Sequence, residues 1–179
     1  MTRVTLALSL VSAPMAALLC VCAVADTSSR AEESARIETV IQSITISVDL
    51  RRFDLLERFY AHEVEADYSS LWGNEPRRVL RADIGDAWAG FIPGFDTTRH
   101  DLTDIEVAVA GSLATATADV LASHWLDGDT WVIDGQYLFE LEKSRDDWVV
   151  TKWTFLLESE TGDRGLVDVA EARAKALSR

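Results

Sequence analysis

The 179-residue chain has only two cysteines, three prolines and three histidines. Each scarcity excludes something. Both cysteines, Cys20 and Cys22, stand in the apolar N-terminal run, so nothing beyond that run is held by a disulfide. The histidines, His62, His100 and His124, come with no recognisable ligand spacing, so no metal and no other cofactor is expected. Positive charge is also short. Seventeen basic residues face thirty acidic ones, a net charge of −13. Such a surface repels phosphate backbones and anionic lipid, which makes nucleic acid a poor partner. Nine glycines and three prolines beside 48% hydrophobic residues exclude a disordered chain.

What is present begins with a leader. Arg3 is followed by Val4 to Val21, apolar apart from a few Ser and Thr, and Ala23-Val24-Ala25 is a small-x-small site before Asp26. That order predicts a cleaved signal peptide over 1–25 and a secreted or periplasmic protein. Two alternatives stay open. One is an uncleaved anchor, interrupted by Pro14. The other is a lipoprotein modified at Cys20 or Cys22, although Leu19 and Val21 stand where a small residue belongs. Cleavage removes both cysteines and Arg3 but no acid. Sixteen basic and thirty acidic residues then give −14. No stable membrane insertion is expected after cleavage.

Residues 26–33 read as a flexible polar lead. Ile37, Val40, Ile41, Ile44 and Val48 recur at helical spacing. A second short helix carries Phe53, Leu56, Phe59 and Tyr60, a short strand runs from Glu63 to Tyr68, and a third helix spans Arg81 to Phe91. From about Arg99 the period becomes two. Strands are predicted over 100–110, 113–126, 130–142 and 147–158, with turns at Ala110-Gly111-Ser112, Asp127-Gly128-Asp129 and Ser144-Arg145-Asp146. Residues 161–179 close as a helix on Leu166, Val169, Ala170, Ala174 and Leu177. Helices first and then consecutive antiparallel strands give an α+β order.

Strand alternation puts His124 at the end of a face made of Ala114, Ala116, Ala118, Val120 and Ala122. A row of alanines leaves volume for a facing helix or for a ligand. Trp131, Ile133, Gly135, Tyr137, Phe139 and Leu141 share a second face, and Val149, Trp153, Phe155 and Leu157 a third. Aromatic faces of this kind suit a core or a flat apolar ligand.

The stretches SVDLRRFDLLERFYAHEVEADYSSL, FDTTRHDLTD and ATADVLASHW together resemble the SnoaL-like branch of the nuclear transport factor 2-like proteins over about residues 31–160. The motifs are most similar to those of scytalone dehydratase and hexachlorocyclohexane dehydrochlorinase. The resemblance implies a cone-shaped roll of N-terminal helices on a curved, mostly antiparallel sheet, with the SnoaL-like domain over 34–160. It places Asp49 and His100 on the family's Asp–His dyad, His124 on a second histidine and Tyr68 on a carbonyl-binding tyrosine. Val48 stands where the dehydratase has a second tyrosine, and Gly135 and Tyr137 where it has polar residues. The resemblance also implies Val48, Trp72, Trp88, Phe91, Val120, Tyr137, Trp153 and Phe155 around a small apolar or aromatic ligand, and a homodimer or homotrimer.

The chemistry is coherent for these residue types. A carboxylate beside an imidazole fixes its tautomer and makes it a better base. His100 then removes a proton, His124 acts as acid or holds a water, and Tyr68 polarises an oxygen. Each residue also has a plain structural reading. His124 is a satisfied strand-end histidine, His100 a solvated strand start, Asp49 a helix cap and Tyr68 a core tyrosine. His62 reads as surface and Asp67 as structural. Simple alternation sets His100 opposite to Ile105, Val107 and Val109, so a shared face requires a bulge. The expectation is a lyase or isomerase working by acid–base chemistry. The alternative is a non-catalytic binding or interaction module of the same fold.

Overall fold

An apolar stripe on α1 and the inner face of a long antiparallel sheet build the core. The computed structural model describes residues 15–178, with side chains from Ser28 onward. The leader expected over 1–25 lies largely outside the described residues. The chain divides into two units, and the second, from Glu33, carries everything that follows. Helix α1 spans Met15–Asp49, so residues 26–33 are helical rather than an irregular lead. No described helix is long and apolar enough to cross a membrane.

From Glu33 on, Ile37, Ile41, Ile44 and Val48 of α1 are buried. They follow the 3.6-residue period read from the sequence. The helix stops at Asp49 because Arg51 adopts a left-handed backbone, φ +56°. The Arg52 N–H then closes back on the Ser47 carbonyl at 2.8 Å. The expected second helix is a 3-10 turn, Phe53–Arg58. Tyr60 instead opens β1 (Tyr60–Asp67), which leaves Tyr68 just past the strand, before α2 (Ser69–Trp72). A short strand β2 (Arg77–Leu80) was not legible in the sequence; it precedes α3 (Arg81–Ala89). β2 is an edge strand with two arginines, and charge at an edge discourages pairing with other chains.

Strands β3 (Thr97–Ala110), β4 (Leu113–Leu126), β5 (Asp129–Ser144) and β6 (Asp147–Gly162) are the four expected, each within a few residues. Helix α4 (Leu166–Leu177) follows. The sheet order is β2-β1-β6-β5-β4-β3, antiparallel except for the parallel β1–β6 pair. Two-residue loops join the long hairpins. At Asp127-Gly128 both residues have positive φ, the turn geometry that matches strand twist. Gly135 sits at a bulge in β5, where a Cβ would lie 2.2 Å from the Leu156 carbonyl oxygen. Glycine is therefore the residue that lets β6 approach.

The alanine face is covered. Ala114, Ala116, Ala118, Val120 and Ala122 are buried in one core with the α1 residues and the aromatics of β5 and β6. Most of the volume left by those alanines is filled from the facing layer.

Candidate active site

A bulge aims β3 into the core. The β3–β4 register shifts between Thr103 and Glu106, and Asp104 takes φ +47°. One extra residue moves the alternation by one. Thr98 and His100 therefore pair with His124 and Ala122 on the inner face, while Val107 and Val109 pair with Ala116 and Ala114 on the same face. This is the bulge that a shared face required.

Asp49, the last residue of α1, meets that strand. Its Oδ1 lies 2.7 Å from His100 Nδ1 and accepts the Thr98 hydroxyl at 2.9 Å. Its Oδ2 accepts the backbone N–H of His100 at 2.8 Å. Burial alone pushes this carboxyl up. The hydrogen bond and charge of His100, the His100 backbone N–H and the Thr98 hydroxyl outweigh it and hold the group below the usual carboxylate range. An ionised Asp49 can only accept, so His100 Nδ1 carries the proton and donates. Nε2 is the ring nitrogen that Asp49 leaves free.

His100 lines a cavity of about 20 Å³ with Val48, Tyr68, Trp88, Tyr137 and Trp153 among the other walls. That volume holds one water-sized group. The Tyr68 and Tyr137 hydroxyls are 3.5 Å apart. Burial raises both phenols, so both stay protonated and able to donate. Tyr68, Trp88 and Trp153 also line a second hollow of about 450 Å³, with Trp72, Phe91 and Asn74 on its walls. These three aromatics separate the two spaces. Among the described residues no group of three or more His, Cys, Asp or Glu could hold a metal.

Comparison with known proteins bears on this arrangement. A family model for the SnoaL-like domain matches residues 29–154. The chain belongs to the SnoaL-like family. No curated protein matches it. Among solved structures it is similar to the Kfla4162 protein from Kribbella flavida, at 28% identity and TM-score 0.68, covering 81% of this chain and 99% of that one. It is also similar to a protein assigned as a scytalone dehydratase from Novosphingobium aromaticivorans (19%, TM-score 0.67, 77% and 92%). A third is a hexachlorocyclohexane dehydrochlorinase from Novosphingobium barchaimii (19%, TM-score 0.62, 76% and 93%). The fold is that of the nuclear transport factor 2-like proteins.

Within this SnoaL-like domain the expected residues fall into three groups. Asp49, His100, Tyr68, Val48, Trp88, Tyr137 and Trp153 gather at or behind the small cavity. Trp72 and Phe91 belong to the outer hollow. Trp72 is 42% exposed, with the Arg164 guanidinium 5.6 Å over its ring. Val120 and Phe155, expected around a ligand, are core residues, each 1% exposed, and line neither space.

His124 also turns away from the small cavity's wall. It is wedged between Phe95 and Trp131, 5.0 and 4.6 Å between ring centres, with His100 edge-on at 5.7 Å. Its Nδ1 lies 3.2 Å from the Trp131 carbonyl, which can only accept. Burial, and then the neighbouring His100, lower its pKa to about 4. His124 is thus a neutral imidazole whose one N–H is already committed. The role of acid, expected from the sequence, has no proton behind it near neutral pH. Thr98 was missed, although it lies two residues before His100 on the same strand face.

Proposed function

We propose that this protein is a lyase or isomerase acting on a small, ring-bearing, largely apolar molecule that carries a carbonyl. The observation that carries the proposal is His100, with Nδ1 tied to Asp49 at 2.7 Å, on the wall of a cavity that also presents Tyr68 and Tyr137. His100 Nε2 takes a proton from the carbon next to the carbonyl. The electrons of that C–H bond move onto the carbonyl oxygen, where the two phenols donate hydrogen bonds to the developing negative charge. Collapse of the enolate then has two outcomes. A leaving group departs from the next carbon with the electrons of its bond and takes the proton from His100. Otherwise the proton returns to a different carbon. Every group called on is a side chain of this chain.

The ring of the substrate rests in the outer hollow, whose size and aromatic walls fit such a body. Tyr68, Trp88 and Trp153 give way to admit the reacting end. The test is proton exchange. In deuterated buffer, 2-acetylnaphthalene and related ring-bearing ketones should exchange their α-protons faster with the protein than without it, read by proton NMR. A second reading, binding without catalysis, is favoured by the 20 Å³ inner cavity. Ligands that raise the melting temperature while no ketone in the series exchanges would establish it and sink the enzymatic one.

Export and self-association complete the proposal. The Arg3 start and the Ala23-Val24-Ala25 site support a mature chain beginning at Asp26. Leu113, Leu121 and Trp125 of β4 and Leu156 of β6 are between 36% and 61% exposed, an apolar set suited to a second copy. Intact mass of the exported protein should start at Asp26, and light scattering should give a dimer or trimer of that mass. A monomer at working concentration removes the second part.

A further inference from the structure

We infer that Thr98 is a positioning residue for the base: its hydroxyl fixes the Asp49 carboxylate in the one orientation that keeps the His100 proton on Nδ1. The inference rests on the Asp49–His100 reading and adds a residue that no motif marked.

Asp49 needs such an anchor because of where the chain puts it. A carboxylate on the last residue of a helix faces the negative end of the helix dipole, which disfavours it. The backbone there is pinned by Arg51, which donates to the Asp49 carbonyl at 3.2 Å and across to the Phe95 carbonyl at 2.9 Å. Pinning the backbone does not orient the side chain. The carboxylate itself has three donors. Two come from His100: the strand-held backbone N–H, which fixes Oδ2, and the ring Nδ1, which reaches Oδ1 and moves with the ring it is meant to hold. Thr98 supplies the third, from two residues away, to the same oxygen that receives His100 Nδ1. Thr98 is 5% exposed and stands opposite His124 in the β3–β4 ladder. Among the described residues it is the one side-chain hydroxyl that donates to Asp49, and its β-branched shape restricts the rotamer from which it donates.

Losing that donor leaves Oδ1 with no partner but the ring itself, and the carboxylate, held from outside the ring only by the His100 backbone N–H at Oδ2, turns more freely about its own side-chain bond. Oδ1 then no longer holds the Nδ1 proton in place, and the imidazole samples the form protonated at Nε2. That form has no lone pair on the free nitrogen and cannot act as base.

The test is the tautomer of His100 in 15N-labelled protein, read by long-range proton–nitrogen NMR with no substrate present. The wild type should show one form, protonated at Nδ1. Thr98→Val keeps shape and removes the donor. It should show a mixture, with the Nδ1 proton signal weakened or lost, and Thr98→Ser should restore the single form. On an exchanging ketone, Thr98→Val should lower kcat about tenfold and leave KM within about twofold. Should Thr98→Val not fold, Thr98→Ala removes the same donor. A merely structural role would lower the melting temperature and leave the tautomer untouched, which overturns the inference while the dyad stands. A wild type protonated at Nε2 overturns both.

Discussion

Alanine at His100 removes the exchange activity, by about 100- to 10,000-fold in kcat/KM, the range a positioned general base supplies. The cut ring leaves a larger cavity, so an apolar ligand binds the variant at least as well as the wild type. That split between lost turnover and retained binding is the signature to look for. Asp49→Asn should be almost as severe, for a reason the geometry makes specific. His100 offers Asp49 two donors, the backbone N–H to Oδ2 and Nδ1–H to Oδ1. A carboxylate accepts both. An amide accepts one and turns its NH2 toward the other. If the NH2 faces the ring, the imidazole is driven to the Nε2-protonated form and the base is gone. If it faces the backbone, two donors collide and the contact opens. NMR exchange rates on the same ketone for wild type, His100→Ala and Asp49→Asn settle the point. Undiminished exchange in His100→Ala would mean that another group is the base.

The parts of the fold that were legible share one property: local sequence determines them. Turns at Asp127-Gly128 and Gly111 carry residues that tolerate positive φ, and the alternation between them breaks only at buried Ser123. The α1 stripe repeats over three turns. What was not legible depends on distant partners. β2 has four residues and exists because it pairs with β1. Phe53 to Arg58 has helical spacing, but Tyr60 is claimed by the sheet, where it pairs with Val150 of β6. The bulge at Asp104 is an intermediate case. Its position cannot be read from Asp104 alone, yet the conflict between His100 and Val107 required one between them.

The site divides along the same line. Asp49, His100 and Tyr68, singled out by motif spacing, come together at the small cavity. That Tyr137 places its hydroxyl 3.5 Å from that of Tyr68 depends on how β5 faces the end of β1, and no motif records it. Val48 of α1 brings no hydroxyl to the small cavity, and Tyr137 brings one to it from β5. Val120 and Phe155 line neither hollow, because alternation shows which face a residue takes, not whether a facing layer already covers it.

His124 gives the second large effect, and it is an effect on stability. Burial holds its folded pKa near 4, against 6.5 in the unfolded chain. As pH falls from 6.5 toward 4, the unfolded state takes up a proton that the folded state refuses. The unfolded state binds more protons in that window, so stability falls as the solution is acidified. Below about pH 4 both states are protonated at this residue, and above 6.5 neither is, so the contribution is flat outside the window. The shift of 2.5 pH units corresponds to about 3 kcal/mol. Asp49, also held below its ordinary value, adds a loss at still lower pH, as the unfolded carboxyl protonates first. The two are separated by His124→Asn, which does not titrate and whose amide still reaches toward the Trp131 carbonyl. Denaturant unfolding at intervals between pH 4 and 7 should give a wild-type curve that drops by about 3 kcal/mol more than that of the variant. Parallel curves would mean that His124 takes its proton in the fold as readily as in water. It would then be available beside His100 as an acid after all.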